Sequence, residues 1–373
     1  MYIRPTTRRP RRWPWLLLLI PLIGVGFWYL RSQDLEFGHF LGQERPTLTP
    51  TEISSKEHMA LGDSFFGRGE LNEAMGEYRR TIELDPGNST AYARLGRLLT
   101  LRGRYAEGLS TAQRAVEIDS ENAENQALLG MVLDWNGNYD AAIEACLKAI
   151  DLDPSYATAY AYLAEAYTDK GRLDRALQVA ENAVSLDANN FYARRNLGYV
   201  LERRGDYDGA IAEYIEAIAL QPNLAYLYLS LGRNYRAVGD YEGAIAEFER
   251  ATDVDPYDPM SCDSLGLAYY DLREFEQAVI QFKRAMEVDP DFANAYGHLG
   301  WCYYVQRRYE DAIPQFEKAI SLGATAIEFY YELGLSYVYI GDCENARPWL
   351  EKALEIDPYA QPALQGLKDC EGR

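Results

Sequence analysis

Histidine is scarce in this chain, with three in 373 residues, and cysteine is little commoner, with five. His39, His58 and His298 stand far apart and no Cys-x-x-Cys pair occurs. The spacing of a zinc or thiol-redox centre is therefore missing, and no metal ligand is assigned. A glycine-rich phosphate loop and a nucleophile elbow are also lacking, and the many carboxylates are scattered over predicted helix surfaces, where a solvated role is the default. No catalytic residue and no cofactor are expected. Positive charge is short as well, at 37 basic residues against 57 acidic. Six of those basic residues, all arginines, and none of the acids lie in residues 1–31, which leaves 31 against 57 beyond. So acidic a body repels polyphosphate backbones and argues against nucleic acid as the main ligand.

Long apolar runs are rare, and one is prominent. Residues 13–30, "WPWLLLLIPLIGVGFWYL", are 18 uncharged residues, near the roughly 20 that a helix needs to cross a bilayer. Trp13, Trp15, Trp28 and Tyr29 mark its ends, as aromatic rings do at a lipid–water interface. Five arginines precede it, so the expectation is a basic cytoplasmic N-terminus (1–12), a single transmembrane helix (13–31) and export of everything that follows. The alternative is a cleaved signal peptide and a secreted protein, with Gly24-x-Gly26 as the small-residue cleavage site. Residues 32–54, with Pro46 and Pro50, read as a stalk.

Beyond the stalk the sequence repeats. Asp-Pro stands at 85, 153, 255, 289 and 357, positions separated by multiples of 34. Gly62, Gly96, Gly130, Ala164, Gly198, Gly232, Gly266, Gly300 and Gly334 keep the same period without a gap. Nine units of 34 residues therefore run from Ser55 to Ala360, the signature of a solenoid. Within each unit the apolar spacing changes phase at a glycine (Gly69, Gly103, Gly137, Gly171, Gly205, Gly239, Gly341), which predicts helix, left-handed turn, helix. Arg273 and Arg307 take that place in units seven and eight, at about 1 kcal/mol each if the turn is kept. Proline ends the second helix by disfavouring helical geometry in the residue before it; the turns "DSEN" and "DANN" do so with polar residues. "SLGATA", around Gly323, is the junction where irregularity is expected. Alanines of the second helix (Ala74, Ala142, Ala176, Ala210, Ala244, Ala278, Ala312, Ala346) are expected to face the glycine series. Residues 361–373 read as a capping helix.

This pattern resembles the tetratricopeptide repeat family. Unit six carries its residues as Leu231, Gly232, Tyr235, Ala244, Phe248, Ala251 and Pro256. The likeness covers 306 of 373 residues; Cys146, Ala180 and Gly108 depart from the pattern. It implies an all-α fold, an α-solenoid coiled as an open right-handed superhelix whose first helices line a concave groove, here behind one N-terminal transmembrane helix. The Lys and Asn places of the family's two-carboxylate clamp hold other residues, so no chaperone tail is implied.

Tyrosines at the fourth and eleventh places of each first helix, such as Tyr228 and Tyr235, lie on the core stripe. The second, fifth, ninth and twelfth places form another stripe. From unit five onward it holds Tyr192, Arg195, Tyr199, Tyr226, Leu229, Arg233, Arg236, Met260, Leu267, Tyr270, Trp301, Tyr304, Tyr331 and Leu335. Rings and arginines on a groove wall fit a protein or peptide partner, with a carboxylate of that partner near Arg195, Arg233 or Arg236. The other reading is that these side chains cover one another across a tight coil. Cys343 and Cys370 fall on antiparallel neighbouring helices and are read either as a bridge that pins the cap or as two separate thiols. The function expected is a membrane-anchored scaffold that recruits a partner through its C-terminal repeats. An alternative is an envelope-assembly factor of the cytochrome c maturation, pilus or polysaccharide export type.

Overall fold

The computed structural model describes residues 53–372, and among these every regular element is a helix. Nine hairpins follow in order, from Ser55–Gly67 with Leu71–Leu84 in unit one to Ile327–Tyr339 with Cys343–Ile356 in unit nine, and Gln361–Glu371 closes the stack. The expected cytoplasmic N-terminus, the span at 13–31 and nearly all of the stalk lie outside the described residues. Among the described residues no helix is long and apolar enough to cross a membrane. Ser54, the last stalk residue, caps the first helix in a reciprocal pair with Glu57.

The turn inside each unit takes the left-handed conformation at Gly69, Gly103, Gly137, Gly171, Gly205, Gly239 and Gly341. Arg273 and Arg307 adopt it too, with φ of 61° and 60°. The hairpin geometry thus overrides the side-chain preference at two positions.

Between units, the aspartate does more than precede a proline. Asp85, Asp153, Asp255, Asp289 and Asp357 each accept the backbone N–H two residues on, at 2.9–3.2 Å, and so do Asp119 and Asp187, which have no proline after them. The side chain itself closes the turn. Four tyrosines brace these junctions from the next helix. Tyr160, Tyr228, Tyr296 and Tyr330 each donate to the carbonyl six residues earlier. At "SLGATA" the second helix, Tyr309–Ser321, stops one residue short of the usual 14, and Gly323 is left-handed, which is the expected irregularity.

Inside a hairpin the expected small-against-small contact is true of unit two, where a Cβ on Gly96 would lie 2.9 Å from the Ala112 nitrogen. In other units the glycine faces a larger side chain of the second helix, Cys146 in unit three and Leu350 in unit nine. In units one, six, seven and eight a Cβ would meet Tyr78, Phe248, Phe282 or Phe316 at 2.5–2.6 Å. The facing alanines are fully buried one turn earlier, so the glycine accommodates the aromatic of the second helix.

Candidate partner-binding face

Side-chain size on the inner stripe sets how the first helices stand. Units two to four carry Ala93, Ala127 and Ala161 there, all fully buried, and the first helices of units two to five pack closely on one another. From unit five onward larger side chains occupy the stripe, and successive first helices barely touch. The rings act as wedges.

The resemblance implies an open groove along the whole stack, whereas the N-terminal half of this coil is closed upon itself. Leu71, Met75, Tyr78, Leu95, Leu98 and Leu99 of units one and two share a buried core with Ala217, Leu224 and Leu227 of units five and six. Asn223 Nδ2 donates to the Gly67 carbonyl at 3.1 Å, and Arg102 pairs with Asp255 at 2.6 Å. Arg97 is buried at the centre of this seam, where it donates to the Tyr192 hydroxyl and lies over the rings of Phe66 (4.2 Å) and Tyr192 (5.6 Å).

The sequence-expected face is thus divided. Tyr192 and Tyr226 point inward and meet the opposite wall, while Leu229 is buried in the core of units six and seven. Tyr192 packs on Phe191 and Tyr162, Tyr226 joins the shared core, and Leu229 is 3% exposed. Burial raises the Tyr192 and Tyr226 phenols above their ordinary range. Arg195 makes an ion pair with Glu165, which also accepts from Trp135 Nε1 at 3.1 Å, and Tyr199 donates to Asp169. Beside them Asp134 is buried with both carboxyl oxygens unpartnered. Burial first, then the charges of Glu165 and Asp169, push its pKa up to about 9. Asp134 and Glu165 stand at the twelfth and ninth places of their first helices, on the same stripe that carries rings in later units.

Arg195, Tyr226, Leu229, Arg233 and Met260 come together around a cavity of about 500 Å³, whose other wall includes Leu71, Leu101, Arg102 and Trp135. Arg236 is engaged by Asp271 at 2.5 Å, while Arg233 is exposed and donates to the Ser230 hydroxyl at 3.1 Å. Two of the three arginines expected to meet a partner's carboxylate are therefore already neutralised within the chain.

The remaining members stand on the splayed helices. Met260 is exposed, Leu267, Tyr270, Trp301, Tyr304 and Tyr331 are half-buried, and Leu335 is buried. Trp301 is held between His298 (4.8 Å) and Phe329 (5.4 Å), with Tyr270 at 6.2 Å. His298 is fixed by Asp263 at 2.7 Å, and His58 contacts Glu77 at 2.5 Å. Glu332, on the other side of Trp301, was not anticipated. Its carboxyl is pushed up to about 8 by burial and by the charge of Glu328, with the Trp301 indole acting in the opposite sense.

Tetratricopeptide repeat models match residues 59–123, 128–191, 190–256, 264–327 and 327–359. None of the curated proteins matches the chain. Among solved structures, the APC/C hetero-tetramer Cut9–Hcn1 is 16% identical with a TM-score of 0.61, over 84% of this chain and 75% of that one. A monomeric mutant of IFIT1 with Gppp-AAAA is 18% identical with a TM-score of 0.57, over 85% of this chain and 81% of that one. PilF of Pseudomonas aeruginosa is 18% identical with a TM-score of 0.50, over 57% of this chain and 96% of that one. At such identities the likeness is one of fold.

Proposed function

This chain belongs to the tetratricopeptide repeat family, and on that footing we propose that it is a non-catalytic, membrane-tethered scaffold that holds a protein or peptide partner along the inner face of units six to nine. The observation that carries this reading is the separation of the first helices after unit five, which leaves Met260, Tyr270, Trp301, Tyr304 and Tyr331 partly open to solvent on neighbouring helices. Rings of this kind supply large contact area at low entropic cost. The enclosed N-terminal half provides a rigid base for them.

Tethering is supported by the apolar run 13–30 and the five arginines before it. Export of the repeats is supported by the Cys343–Cys370 bridge, since such bonds persist in oxidising compartments. The reading as a non-enzyme is supported by the commitment of 306 residues to the solenoid.

The test is recovery of partners from cells by the full chain, compared with the Tyr270→Ala plus Trp301→Ala variant. A photo-crosslinking residue at exposed Met260 serves as a second probe that leaves the packing intact. Loss of recovery in the variant and crosslinking at 260 are expected. Equal recovery by both chains, with no crosslink at 260, removes the reading.

A further inference from the structure

The N-terminal half of this molecule shows how its inner face treats a buried carboxylate beside an indole. Glu165 accepts from Trp135 Nε1 and is neutralised by Arg195 from the following unit. The same half also places a second arginine, Arg97, among aromatic rings. In both cases a guanidinium of the chain fills an aromatic recess on the inner stripe.

The C-terminal half sets another indole, Trp301, beside a carboxyl, Glu332, without an arginine. Trp301 Nε1 and Glu332 Oε2 are buried, and although the indole acts on the carboxyl, neither atom makes a hydrogen bond of normal geometry within the chain. The Glu332 charge reaches the phenols of Tyr270, Tyr304 and Tyr331, adding to the burial that raises each of them. Among the described residues no arginine or lysine lies over Tyr270, Trp301, Tyr304 or Tyr331, although seven such pairs occur elsewhere. Glu328, the nearest influential charge, has the same sign as Glu332. A buried carboxyl beside an indole and lacking a counter-charge is a site for a planar cation, whose arrival would favour its ionised form.

We propose that the Trp301–Glu332 recess receives the guanidinium of an arginine from the partner peptide, stacked on the rings and paired with the Glu332 carboxylate. This rests on the inner-face reading above and gives the partner a chemical class: a basic segment, opposite in sign to the acidic one that the arginines of the stripe suggest.

The test uses the full chain in detergent, labelled with 5-fluorotryptophan, the Trp301 resonance being identified by its loss in Trp301→Phe. The probes are N-acetyl-arginine methylamide and its neutral isostere N-acetyl-citrulline methylamide. A saturable shift of the Trp301 resonance by the arginine probe is expected, at least tenfold weaker with citrulline and at least tenfold weaker in Glu332→Gln. That substitution removes a buried charge and keeps the shape, and an unchanged melting temperature certifies the fold. Equal response to the two probes, or undiminished binding by Glu332→Gln, overturns the assignment. If crosslinking at 260 still captures the partner while the arginine probe fails, only the cation class falls and the inner-face reading stands.

Discussion

Arg102 and Asp255, 153 positions apart in the chain, form an ion pair at 2.6 Å with both side chains largely buried. The pair joins the turn of unit two to the junction before unit seven, so it holds the coil closed. Removing one partner of a buried pair leaves the other uncompensated. Arg102→Met is therefore expected to lower stability by roughly 3–5 kcal/mol, read from the denaturant midpoint, and to speed amide exchange in units one and six. Reversing the pair as Arg102→Asp with Asp255→Arg is expected to recover part of the loss. A single variant as stable as the parent would show the seam to be held by its apolar core alone.

Asp134 gives the N-terminal half a pH dependence. Its carboxyl loses its proton at about 9 in the folded chain, against an ordinary value of 3.8, chiefly through burial. Between these limits the folded state binds more protons than the unfolded one, so stability falls as pH rises. The contribution is complete below the lower limit and gone above the upper one. The melting temperature of the parent chain should consequently drop more steeply from acid to alkaline pH than that of Asp134→Asn. Parallel curves would place the unpartnered carboxyl in water.

Arg273 and Arg307 sit in a backbone region that favours glycine. Replacing both with glycine is expected to stabilise the chain by up to about 1 kcal/mol per site, partly offset by the greater freedom glycine gives the unfolded chain. Thermal unfolding of the double variant decides the sign. A lower melting temperature means that side-chain contacts of the arginines outweigh the strain.

Cys343 and Cys370 are bonded, with Cα atoms 5.5 Å apart, and stand 27 positions apart in the chain. A loop of this length restricts the unfolded chain by about 3 kcal/mol. Reduction, or Cys343→Ser, is expected to free the closing helix and speed amide exchange in residues 361–371 while leaving units one to four unchanged. Exchange that spreads evenly through the array would contradict so local a role.

The period of 34 residues made the hairpins, their left-handed turns and the odd junction at Gly323 legible in the sequence, because each depends on contacts within one unit or between neighbours. The two arginines in glycine places were legible for the same reason. Closure of the coil was not, since the pairing of Arg102 with Asp255 and of Asn223 with Gly67 joins residues four units apart and leaves no local trace. Alanine on the inner stripe of units two to four, against rings later, was visible as composition. Its effect on helix spacing emerges only when the helices are placed side by side. Glu332 escaped notice because it lies one position beyond the stripe that periodicity picks out. Its meaning comes from Trp301, thirty-one positions earlier.

A solenoid whose units touch only their neighbours can be lengthened or shortened freely, since every join is the same. The seam between Arg102 and Asp255 takes that freedom away. Excising or duplicating any one of units three to five would carry Asp255 a whole step around the axis and leave Arg102 facing the wrong partner. Repeat number between these two residues is thus a fixed dimension of the molecule, as the number of teeth is for a meshed gear.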